Sequence, residues 1–456
     1  MDEKFTKNSI CRLKITDITN QGMGVARLGE MVVFVQNGCT GDEADVKIIK
    51  TAKNYLVGRI EKLIVPSPFR CEPGCPVSKR CGGCVYRNVT YEHELELKKR
   101  LVEAEFRKNH LDLTVGFPLH GDPDGYRNKA QYPIGRTKDG KIAIGFYAQK
   151  THEIVDMREN CRLQPEIFGE IVEFTRRFLD ENEIEPYNEL TGKGIIRHLY
   201  LRRSETEDRV MVCLVAARKF GKIGEFAERI MAEIPKVVSV WLNINAKSTN
   251  VVLGKEYEKI AGGELVDRIL NRKFTISPAS FWQVNRKMCE VLYNVAGELA
   301  DIKTGEKVLD LYCGIGSVGQ SVCPPGAKLI GVEIVPEAVE NARKNAVANG
   351  FSDAEYYCVD ATDEEAMGRE LERIGGELDV ILLDPPRSGC SPELLRKVRK
   401  CTTARIVYIS CGPDTLARDL YIMKELGYEI SGAKTVDLFP RTGHVETVCL
   451  LSKLQS

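Results

Sequence analysis

The sequence lacks the long apolar runs of a membrane protein and any excess of one charge. Its longest apolar stretches, such as Val380–Leu383, are far shorter than the roughly 20 apolar residues that a helix needs to cross a bilayer. The N-terminal segment contains no apolar core of the kind that directs secretion. The 65 Lys and Arg residues balance 65 Asp and Glu residues, so the chain is not a polycation. These absences predict a cytoplasmic protein without membrane partners, in which any contact with nucleic acid comes from local basic patches.

The sequence also contains no evident internal repeat or low-complexity tract, and its 456 residues predict two to four globular domains. In a reducing compartment its 16 cysteines are expected to be free thiols, metal ligands or catalytic groups rather than a disulfide framework. Nothing in the pattern indicates an obligate protein partner, and we expect a monomer.

Residues 1–65 predict a small β-barrel. Short segments from residue 9 onward alternate apolar and polar side chains around glycine-rich turns. About five short strands in this length are typical of an OB-like barrel, a common oligonucleotide-binding platform. A barrel with a purely structural role is the alternative. Pro66 and Pro68 then break the alternation, and we end the first domain at residue 65.

Three cysteines stand close together after this linker. Cys75, Cys81 and Cys84 follow a C-x5-C-x2-C spacing, and the two glycines between the last pair let the backbone fold tightly around a metal centre. A fourth ligand has to come from elsewhere, and Cys71 and Cys161 are the candidates. Zinc and an iron–sulfur cluster both accept four thiolates, and unliganded thiols are the alternative. The spacing differs from the C-x3-C-x2-C pattern of radical S-adenosylmethionine chemistry, so a metal centre here is expected to be structural.

The rest of the second region, which we place at residues 66–279, mixes helices with strands. The pattern predicts an amphipathic helix over 91–110, strands near 126–135, 141–156 and 194–204, and a helix near 165–180. Basic side chains alternate there with tyrosines, namely Arg127, Lys129, Arg197, His198, Arg202 and Arg203 with Tyr126, Tyr132 and Tyr200. Such mixing suits phosphate contact combined with base stacking. Charged side chains solvated at a sheet edge are the alternative.

The third region, residues 280–456, alternates strand and helix as in a doubly wound α/β sheet. A glycine loop at residues 309–319 joins a strand to a helix, and its glycines let the backbone approach a ligand closely. Glu333 ends the next strand, where an acidic side chain binds ribose hydroxyls. Asp360 ends the third strand and is placed near an adenine edge. The same glycine spacing also fits a nicotinamide enzyme.

Two further strand ends favour a different chemistry. Asp384 begins a D-P-P-R segment after the fourth strand, and Cys411 follows the fifth, so both should line the ligand crevice. Addition of a Cys411 thiolate to carbon 6 of uracil would make carbon 5 nucleophilic towards a methyl donor. Glu446, near His444 at the last strand, is our choice for the base that removes the proton from carbon 5. A cysteine packed as a small hydrophobe and a solvated glutamate are the structural alternatives.

Six motifs in chain order resemble the uracil-C5 RNA methyltransferases, specifically the iron–sulfur-containing bacterial branch that modifies large-subunit (23S) ribosomal RNA. The motifs are CPVSKRCGGC, SPASFWQVN, LDLYCGIGSVG, DPPRSG, ISCGPDTLARDL and FPRTGHVETV. The resemblance covers essentially the whole chain. It implies an α/β protein with an N-terminal OB-like TRAM barrel, a central α+β domain with a 4Fe–4S cluster, and a C-terminal Rossmann-like class I methyltransferase domain that uses S-adenosyl-L-methionine.

The same resemblance implies roles for individual residues. Cys411 is the nucleophile and Glu446 the proton acceptor. The cluster ligands are Cys75, Cys81, Cys84 and Cys161, which leaves Cys71 outside. The cofactor contacts are Gln283, Tyr312, Glu333, Asp360 and Asp384, of which Asp384 is also able to face the uracil. Tyr312 stands where phenylalanine is common, and Ser317, which stands where asparagine is frequent, receives no role.

Three alternative functions stay open. A transfer RNA uridine-C5 methyltransferase shares the catalytic half, but that branch usually lacks both the barrel and the cysteine cluster, so ribosomal RNA is the expected partner. A non-catalytic RNA-binding ribosome assembly factor would hold the cofactor without chemistry. A base-amino methyltransferase acting through its proline-containing loop would not need Cys411.

Overall fold

The computed structural model describes residues 6–149, 151–157, 161–247, 251–361, 363–374 and 378–454. In this part of the chain the strands form three sheets and one two-stranded hairpin. No helix there is both long enough and apolar enough to cross a membrane.

The first region is an all-β unit. Its strands are β1 (Ile10–Lys14), β2 (Asp17–Ile18), β3 (Met23–Leu28), β4 (Met31–Gln36), β5 (Glu43–Thr51) and β6 (Tyr55–Val65). They form one sheet in the order β1-β5-β6-β4-β3-β2. The N–H of Thr16 donates to the carbonyl of Val25 at 2.8 Å and ties the end of β1 back to β3. Alternate side chains such as Val46 and Ile48 point inward and are fully buried. The expected barrel-like N-terminal region is confirmed, with one strand more than predicted.

The second region contains a mixed sheet covered by helices. Its elements are α1 (Tyr91–Lys108), β7 (Lys129–Arg136), β8 (Ile142–Tyr147), β9 (Ile154–Asp156), α2 (Glu166–Glu181), β10 (Ile196–Ser204), β11 (Arg209–Ala216), α3 (Ile223–Glu233), β12 (Val237–Ile244), β13 (Glu256–Gly262), β14 (Leu265–Ile269) and β15 (Arg272–Ile276). The sheet order is β13-β12-β11-β10-β7-β8-β9, and β14 pairs only with β15. Helices α2 and α3 pack together through Phe174, Phe178 and Phe226, whose rings lie 5.1–6.3 Å apart.

The third region is a doubly wound sheet, as predicted. Its elements are α4 (Arg286–Ala300), β16 (Lys307–Leu311), α5 (Ser317–Val322), β17 (Lys328–Glu333), α6 (Pro336–Ala348), β18 (Glu355–Cys358), α7 (Glu364–Ile374), β19 (Leu378–Leu383), α8 (Pro392–Cys401), β20 (Thr402–Ser410), α9 (Pro413–Glu425), β21 (Tyr428–Val436) and β22 (Glu446–Lys453). The order is β18-β17-β16-β19-β20-β22-β21, and β22 runs antiparallel to both neighbours. Strand β19 is almost wholly buried because helices cover both faces of a parallel sheet.

Elements of the second region also pack onto the third sheet. Val102 and Phe106 of α1 join a core that includes Leu309 and Tyr428 of the third sheet. The hairpin β14–β15 packs through Phe274 against the core that contains α4. Both predicted domains therefore contribute to shared cores, and the division at residue 279 stays a prediction from the sequence.

The N-terminal sheet meets the other two regions through the turn between β2 and β3. A Cβ at Gly443 would overlap the carbonyl oxygen of Asn20, and a Cβ at Gly22 would overlap that of Val85. Gly22 also has a φ of +74°, which a residue with a side chain rarely adopts. The two glycines thus allow three backbone segments to meet at one point.

Most of the alternating basic and aromatic residues of the second region are buried. Tyr132, Tyr200, Arg197, His198 and Arg202 are each less than 8% exposed. Arg202, for example, donates hydrogen bonds to the Tyr200 hydroxyl and to the carbonyl of Ser280. Because these five side chains are buried, they fit neither the predicted RNA contact nor the alternative of a solvated sheet edge. Their alternation along the strands could not reveal that both faces of the sheet are covered.

Candidate active site

One edge of the third sheet carries the predicted reacting residues, at the carboxyl ends of two parallel strands and at the amino end of the antiparallel β22. Asp384 follows β19, Cys411 follows β20, and Glu446 begins β22. Ser410 pairs with Thr447 in the antiparallel ladder between β20 and β22. Cys411 and Glu446 therefore extend two adjacent strands at the same level, where directly opposed Cα atoms are about 5 Å apart. The topology brings the predicted nucleophile and the predicted base together.

The thiol of Cys411 is half-buried among charged groups. Burial raises its pKa to about 11, the carboxylates of Glu446 and Asp384 also raise it, and Arg387 lowers it by charge and by a hydrogen bond. Arg387 Nη2 also lies 3.2 Å from His444 Nε2. Because a cation beside the sulfur favours the thiolate, Arg387 is placed to activate Cys411. Arg387 belongs to the D-P-P-R segment, but its position in the sequence alone predicts no role for it.

The loop that carries Arg387 is held by α9. Asp419 Oδ2 accepts hydrogen bonds from the N–H of Cys390 at 2.7 Å and from the Tyr408 hydroxyl at 2.6 Å. The Thr415 hydroxyl donates to the carbonyl of Arg387 at 3.0 Å. Asp419 and Thr415 lie in the ISCGPDTLARDL motif, so this motif supports the loop as well as supplying the thiol.

Two carboxyl groups beside the thiol hold their protons unusually tightly. Burial raises the pKa of Glu446 to about 8, Asp384 raises it too, and Arg387 opposes the shift. Burial raises the pKa of Asp384 to about 7. Glu446 is only 4% exposed. A carboxylate whose pKa lies near the working pH is suited to accept a proton from carbon.

The glycine loop after β16 is held by two carboxylates. The N–H of Gly314 donates to Glu333 Oε2 at 3.1 Å, and the N–H of Gly319 donates to Asp310 Oδ2 at 2.9 Å. Asp310 is 1% exposed, and its Oδ1 has no hydrogen-bond partner within the described ranges. Burial raises the pKa of Asp310 to about 7. No heavy atom lies within 4 Å of the place that a Cβ at Gly314 would occupy, apart from its chain neighbours, so the loop borders open space.

The other predicted cofactor contacts lie around the same loop. Tyr312 has a φ of +66°, which is rare for a residue with a large side chain and is typical of functional sites. Burial raises the pKa of Tyr312, and the charge of Asp360 contributes to the shift, so the two side chains are near each other. Gln283 is buried, and its carbonyl accepts from Asn128 Nδ2 at 2.9 Å. Open space, acidic groups and an aromatic ring fit an adenosyl cofactor, although the role of each residue stays a prediction.

The four cysteines predicted as cluster ligands face one cavity of about 230 Å³. Its lining includes Cys75, Cys81, Cys84, Cys161, Arg87, Arg127 and Lys129. Burial raises the pKa of Cys84 to about 12 and that of Cys161 to about 11. Cys71, the other candidate, donates instead to the carbonyl of Arg87 at 3.7 Å. Four thiols around one cavity fit a four-thiolate centre in composition. In the described residues, however, no group of three or more His, Cys, Asp or Glu side chains is arranged to hold a metal ion.

Comparison with known proteins gives matches over the whole chain. Residues 90–454 match the family described as tRNA (Uracil-5-)-methyltransferase, and residues 4–60 match the TRAM domain. A Clostridium tetani protein described as an uncharacterized RNA methyltransferase is 38% identical over 455 residues, which are 99% of this chain and 98% of that protein. A Bacillus cereus protein with the same description is 38% identical over 460 residues, which are 100% of this chain and 99% of that protein.

A solved structure is also similar over nearly the full length. The crystal structure of Pyrococcus abyssi tRNA (uracil-54, C5)-methyltransferase in complex with S-adenosyl-L-homocysteine superposes with a TM-score of 0.77 at 27% sequence identity. The superposition covers 96% of this chain and 99% of that chain. The resemblance to the uracil-C5 RNA methyltransferases is therefore confirmed at the level of the family, while the iron–sulfur branch and the 23S ribosomal RNA target stay predictions.

Proposed function

Because this chain belongs to the tRNA (uracil-5-)-methyltransferase family and is an S-adenosyl-L-methionine-dependent RNA (uracil-C5-)-methyltransferase, we propose that it acts through a covalent Cys411–uracil adduct. The observation that carries this mechanism is the placement of Cys411 and Glu446 at one level of two paired strands. A nucleophile and a proton acceptor are the two groups that methylation of a uracil ring carbon requires. A base-amino methyltransferase would give neither residue a task.

The chain's own residues carry out the steps around the methyl transfer. S-adenosyl-L-methionine, when bound, supplies an electrophilic methyl group. The target uridine leaves its stack, since its ring has to be reached from both faces. The Cys411 thiolate, with Arg387 beside it, forms a bond to carbon 6. The electron pair that gathers at carbon 5 would then take the methyl group, and the bond between the methyl group and the donor's sulfur would break with its electron pair left on sulfur. Glu446 then accepts the proton from carbon 5, the ring double bond re-forms, and the carbon–sulfur bond breaks to release Cys411.

The predicted cofactor contacts would hold the methyl donor at the sheet edge. We assign them to Gln283, Tyr312, Glu333, Asp360 and Asp384. Glu333 would accept from ribose hydroxyls, and Asp384 lies close enough to Glu446 and Cys411 to contact the uracil as well. The covalent chemistry needs this donor on the face of the ring opposite to the thiol.

A 4Fe–4S cluster on Cys75, Cys81, Cys84 and Cys161 is part of the proposal, in a structural role. The support is the shared cavity and the all-thiol donor set, which is the set that such clusters use. Protein purified without oxygen should contain about four iron and four sulfide per chain, and Cys161→Ser should lose them while Cys71→Ser keeps them. Iron-free protein that is folded and fully active would contradict this assignment.

The proposed RNA target is large-subunit ribosomal RNA. The support is the cysteine-rich segment together with the N-terminal barrel, which the resemblance associates with the ribosomal branch. Transfer RNA is the second candidate, because the Pyrococcus abyssi enzyme whose name specifies tRNA uracil-54 aligns over 96% of this chain. That coverage includes most of the barrel, so the barrel alone does not distinguish the two targets.

One experiment tests both the mechanism and the target. Transcripts of 23S ribosomal RNA and of transfer RNA are made with 5-fluorouridine and incubated with protein and S-adenosyl-L-methionine. Fluorine cannot leave carbon 5 as a proton, so a methylated protein–RNA adduct should survive denaturation with the true target. Cys411→Ala should abolish the adduct, and Cys358→Ala, an exposed cysteine at the end of β18, should retain it.

The outcomes separate the alternatives. An adduct with transfer RNA alone would replace ribosomal RNA by the second candidate. Methylation of ordinary RNA without any adduct would contradict the covalent mechanism. RNA binding without methyl incorporation would indicate the assembly factor. A monomer in the cytoplasm stays a prediction, and light scattering of the purified 51.1 kDa chain measures the first part of it.

A further inference from the structure

The segment between β21 and β22, residues 437–445, delivers the proposed proton acceptor. It contains His444 and ends where Glu446 begins β22. The segment has no helix or strand of its own, and Arg441 within it has a φ of +68°. Its two ends are fixed, because Val436 pairs with Glu446 in the ladder between β21 and β22. The course of the chain between them, up to the residue that leads into Glu446, depends on what the segment contacts.

Helix α1 supplies the most buried of these contacts. Lys98 Nζ donates to Glu94 Oε1 at 2.7 Å, to Asp437 Oδ1 at 2.7 Å and to the carbonyl of Phe439 at 3.2 Å. The side chains of Glu94, Lys98 and Asp437 are at most 1% exposed. One buried ammonium group therefore joins a carboxylate of its own helix to two points on the segment.

Glu94 extends the same network along the segment. Its Oε1 accepts from the N–H of Arg441 at 2.7 Å, and its Oε2 lies 3.5 Å from Arg441 Nη1. The hydroxyl of Tyr91, one helical turn before, donates to Asp437 Oδ2 at 2.9 Å. Side chains of α1 thus hold every second residue over the first half of the segment, at 437, 439 and 441.

Three other parts of the chain hold three further carbonyls of the segment. The donors are the N–H of Val85 to Arg441 at 2.9 Å, the Tyr126 hydroxyl to Pro440 at 2.9 Å and Asn285 Nδ2 to Leu438 at 3.2 Å. Unlike these three hydrogen bonds, the α1 network is built from oppositely charged side chains in a buried place. Buried ion pairs of this kind are often no more stabilising than apolar side chains of the same volume. Fixing the position of the segment is therefore a better explanation for them than adding stability.

We propose that Glu94 and Lys98 are positioning residues that hold the 437–445 segment so that Glu446 reaches the proton on carbon 5. The inference rests on the proposed covalent mechanism and adds residues that touch neither substrate nor cofactor. It locates their effect at one step, the removal of that proton. Addition of Cys411 and transfer of the methyl group precede that step and depend on β20 and the loop held by α9.

The test is the double variant Glu94→Gln, Lys98→Met. It removes one negative and one positive charge, so that Arg441 and Asp437 stay balanced in the buried site. The matched control is Lys99→Met, Glu103→Gln, which makes the same chemical changes in another i,i+4 pair of the same helix. In that pair Nζ and Oε1 are 3.6 Å apart, and the side chains are 35% and 30% exposed.

Two labels follow the two steps separately. An RNA transcript that the wild-type protein methylates carries tritium at carbon 5 of uridine, and the methyl donor carries carbon-14. In the double variant we expect tritium release to fall by at least about 10-fold, since a displaced catalytic group loses much of its rate. First-turnover methyl transfer should change by less than about 3-fold, because the groups that act before proton removal keep their positions. RNA that has received a methyl group but has not released tritium should be recovered as methylated covalent adduct.

Each other result has a defined meaning. A folded double variant in which both labels slow equally, or in which neither slows, overturns the positioning role. If the double variant does not fold, Tyr91→Phe removes a single hydroxyl from the network, and an unchanged ratio of the two labels in that variant also overturns it. Wild-type protein that transfers methyl groups without releasing tritium would contradict the proposed function itself, independently of Glu94 and Lys98.

Discussion

Two sets of buried carboxyl groups flank the 437–445 segment, and they differ in their partners. In the α1 network, burial raises the pKa of Glu94 to about 6 and Asp437 adds to the shift, while the charge and hydrogen bond of Lys98 and the charge of Arg441 oppose it. At the strand ends, burial raises the pKa of Glu446 to about 8, and its neighbour Asp384 adds to the shift. The same side chain at similar depth is therefore held charged in one place and close to neutral in the other.

The difference separates two uses of a buried acid. Paired with cations and hydrogen-bond donors, a carboxylate fixes the distance between segments of the chain. Placed beside another carboxylate without a cation hydrogen-bonded to both, it can exchange a proton near neutral pH, which a permanently charged group cannot do as readily. The pairing of each acid, rather than its burial, indicates which use the fold makes of it.

The largest effect expected at the proton-accepting side comes from Glu446→Gln. Turnover should fall by about 10³-fold, because the amide cannot accept the proton from carbon 5. Methyl transfer should still occur once per enzyme molecule, so the methylated adduct should accumulate on ordinary RNA. Denaturing gels with labelled methyl donor measure this. Loss of turnover with no adduct would assign Glu446 to an earlier step. Glu446 would then not be the proton-accepting acid with which Glu94 is compared.

The single variant Lys98→Met tests the buried ion pairs of the α1 network. It leaves two buried carboxylates without their shared cation, and the free energy of unfolding should fall by about 3–5 kcal/mol. Lys99→Met, on the partly exposed neighbouring position, should change it by less than about 1 kcal/mol. Urea unfolding followed by circular dichroism measures both. Equal, small changes in the two variants would mean that the network adapts without its cation.

Arg387→Gln tests the cation beside the reacting thiol. The rate of adduct formation should fall by about 10-fold at neutral pH, as when a charged partner worth about 1.4 kcal/mol is lost. Because Arg387 lowers the pKa of Cys411, the variant's rate should rise at higher pH than that of the wild type. Single-turnover kinetics from pH 6.5 to 9.5 would show the displacement, and an unchanged profile would remove Arg387 from thiol activation.

The smallest expected effect concerns stability and pH. The pKa of Glu446 is higher in the fold than in the unfolded chain, so the folded state binds the proton more tightly. Its contribution to stability is fully present below about pH 4.5 and is lost as the pH rises through about 8. Glu446→Gln should therefore gain at least about 1 kcal/mol over the wild type between pH 5 and pH 9. A difference independent of pH would show that Glu446 is already charged at pH 5.

The sequence was sufficient for the parts of the site that follow strand order. Cys411, Asp384 and Glu333 each end an apolar run, and parallel strands in an alternating β/α pattern place such ends at one edge. Sequence spacing made both Cys71 and the distant Cys161 candidates to join Cys75, and only the resemblance favoured Cys161, which shares the cavity. Arg387 stood within a quoted motif, but only its contact with Cys411 and His444 gives it a task.

The network around Lys98 lay beyond what a sequence pattern can show. Lys98 and Asp437 are 339 residues apart, and Lys98 stands among charged neighbours that predict a solvated helix face. Burial of that face results from packing between separate regions, which neither helical periodicity nor propensity encodes. The buried Arg197 and Arg202 of the central sheet were misjudged for the same reason.

The contact of Gly443 with Asn20 bears on how such enzymes can be recombined. A side chain at residue 443 would collide with the N-terminal turn, because the backbone of the 437–445 segment packs directly against the backbone of the barrel. The barrel therefore cannot be exchanged by itself to change the RNA preference of the catalytic domain. A chimera between relatives has to inherit residues 19–22, the stretch around Val85 and the stretch around Gly443 from one parent.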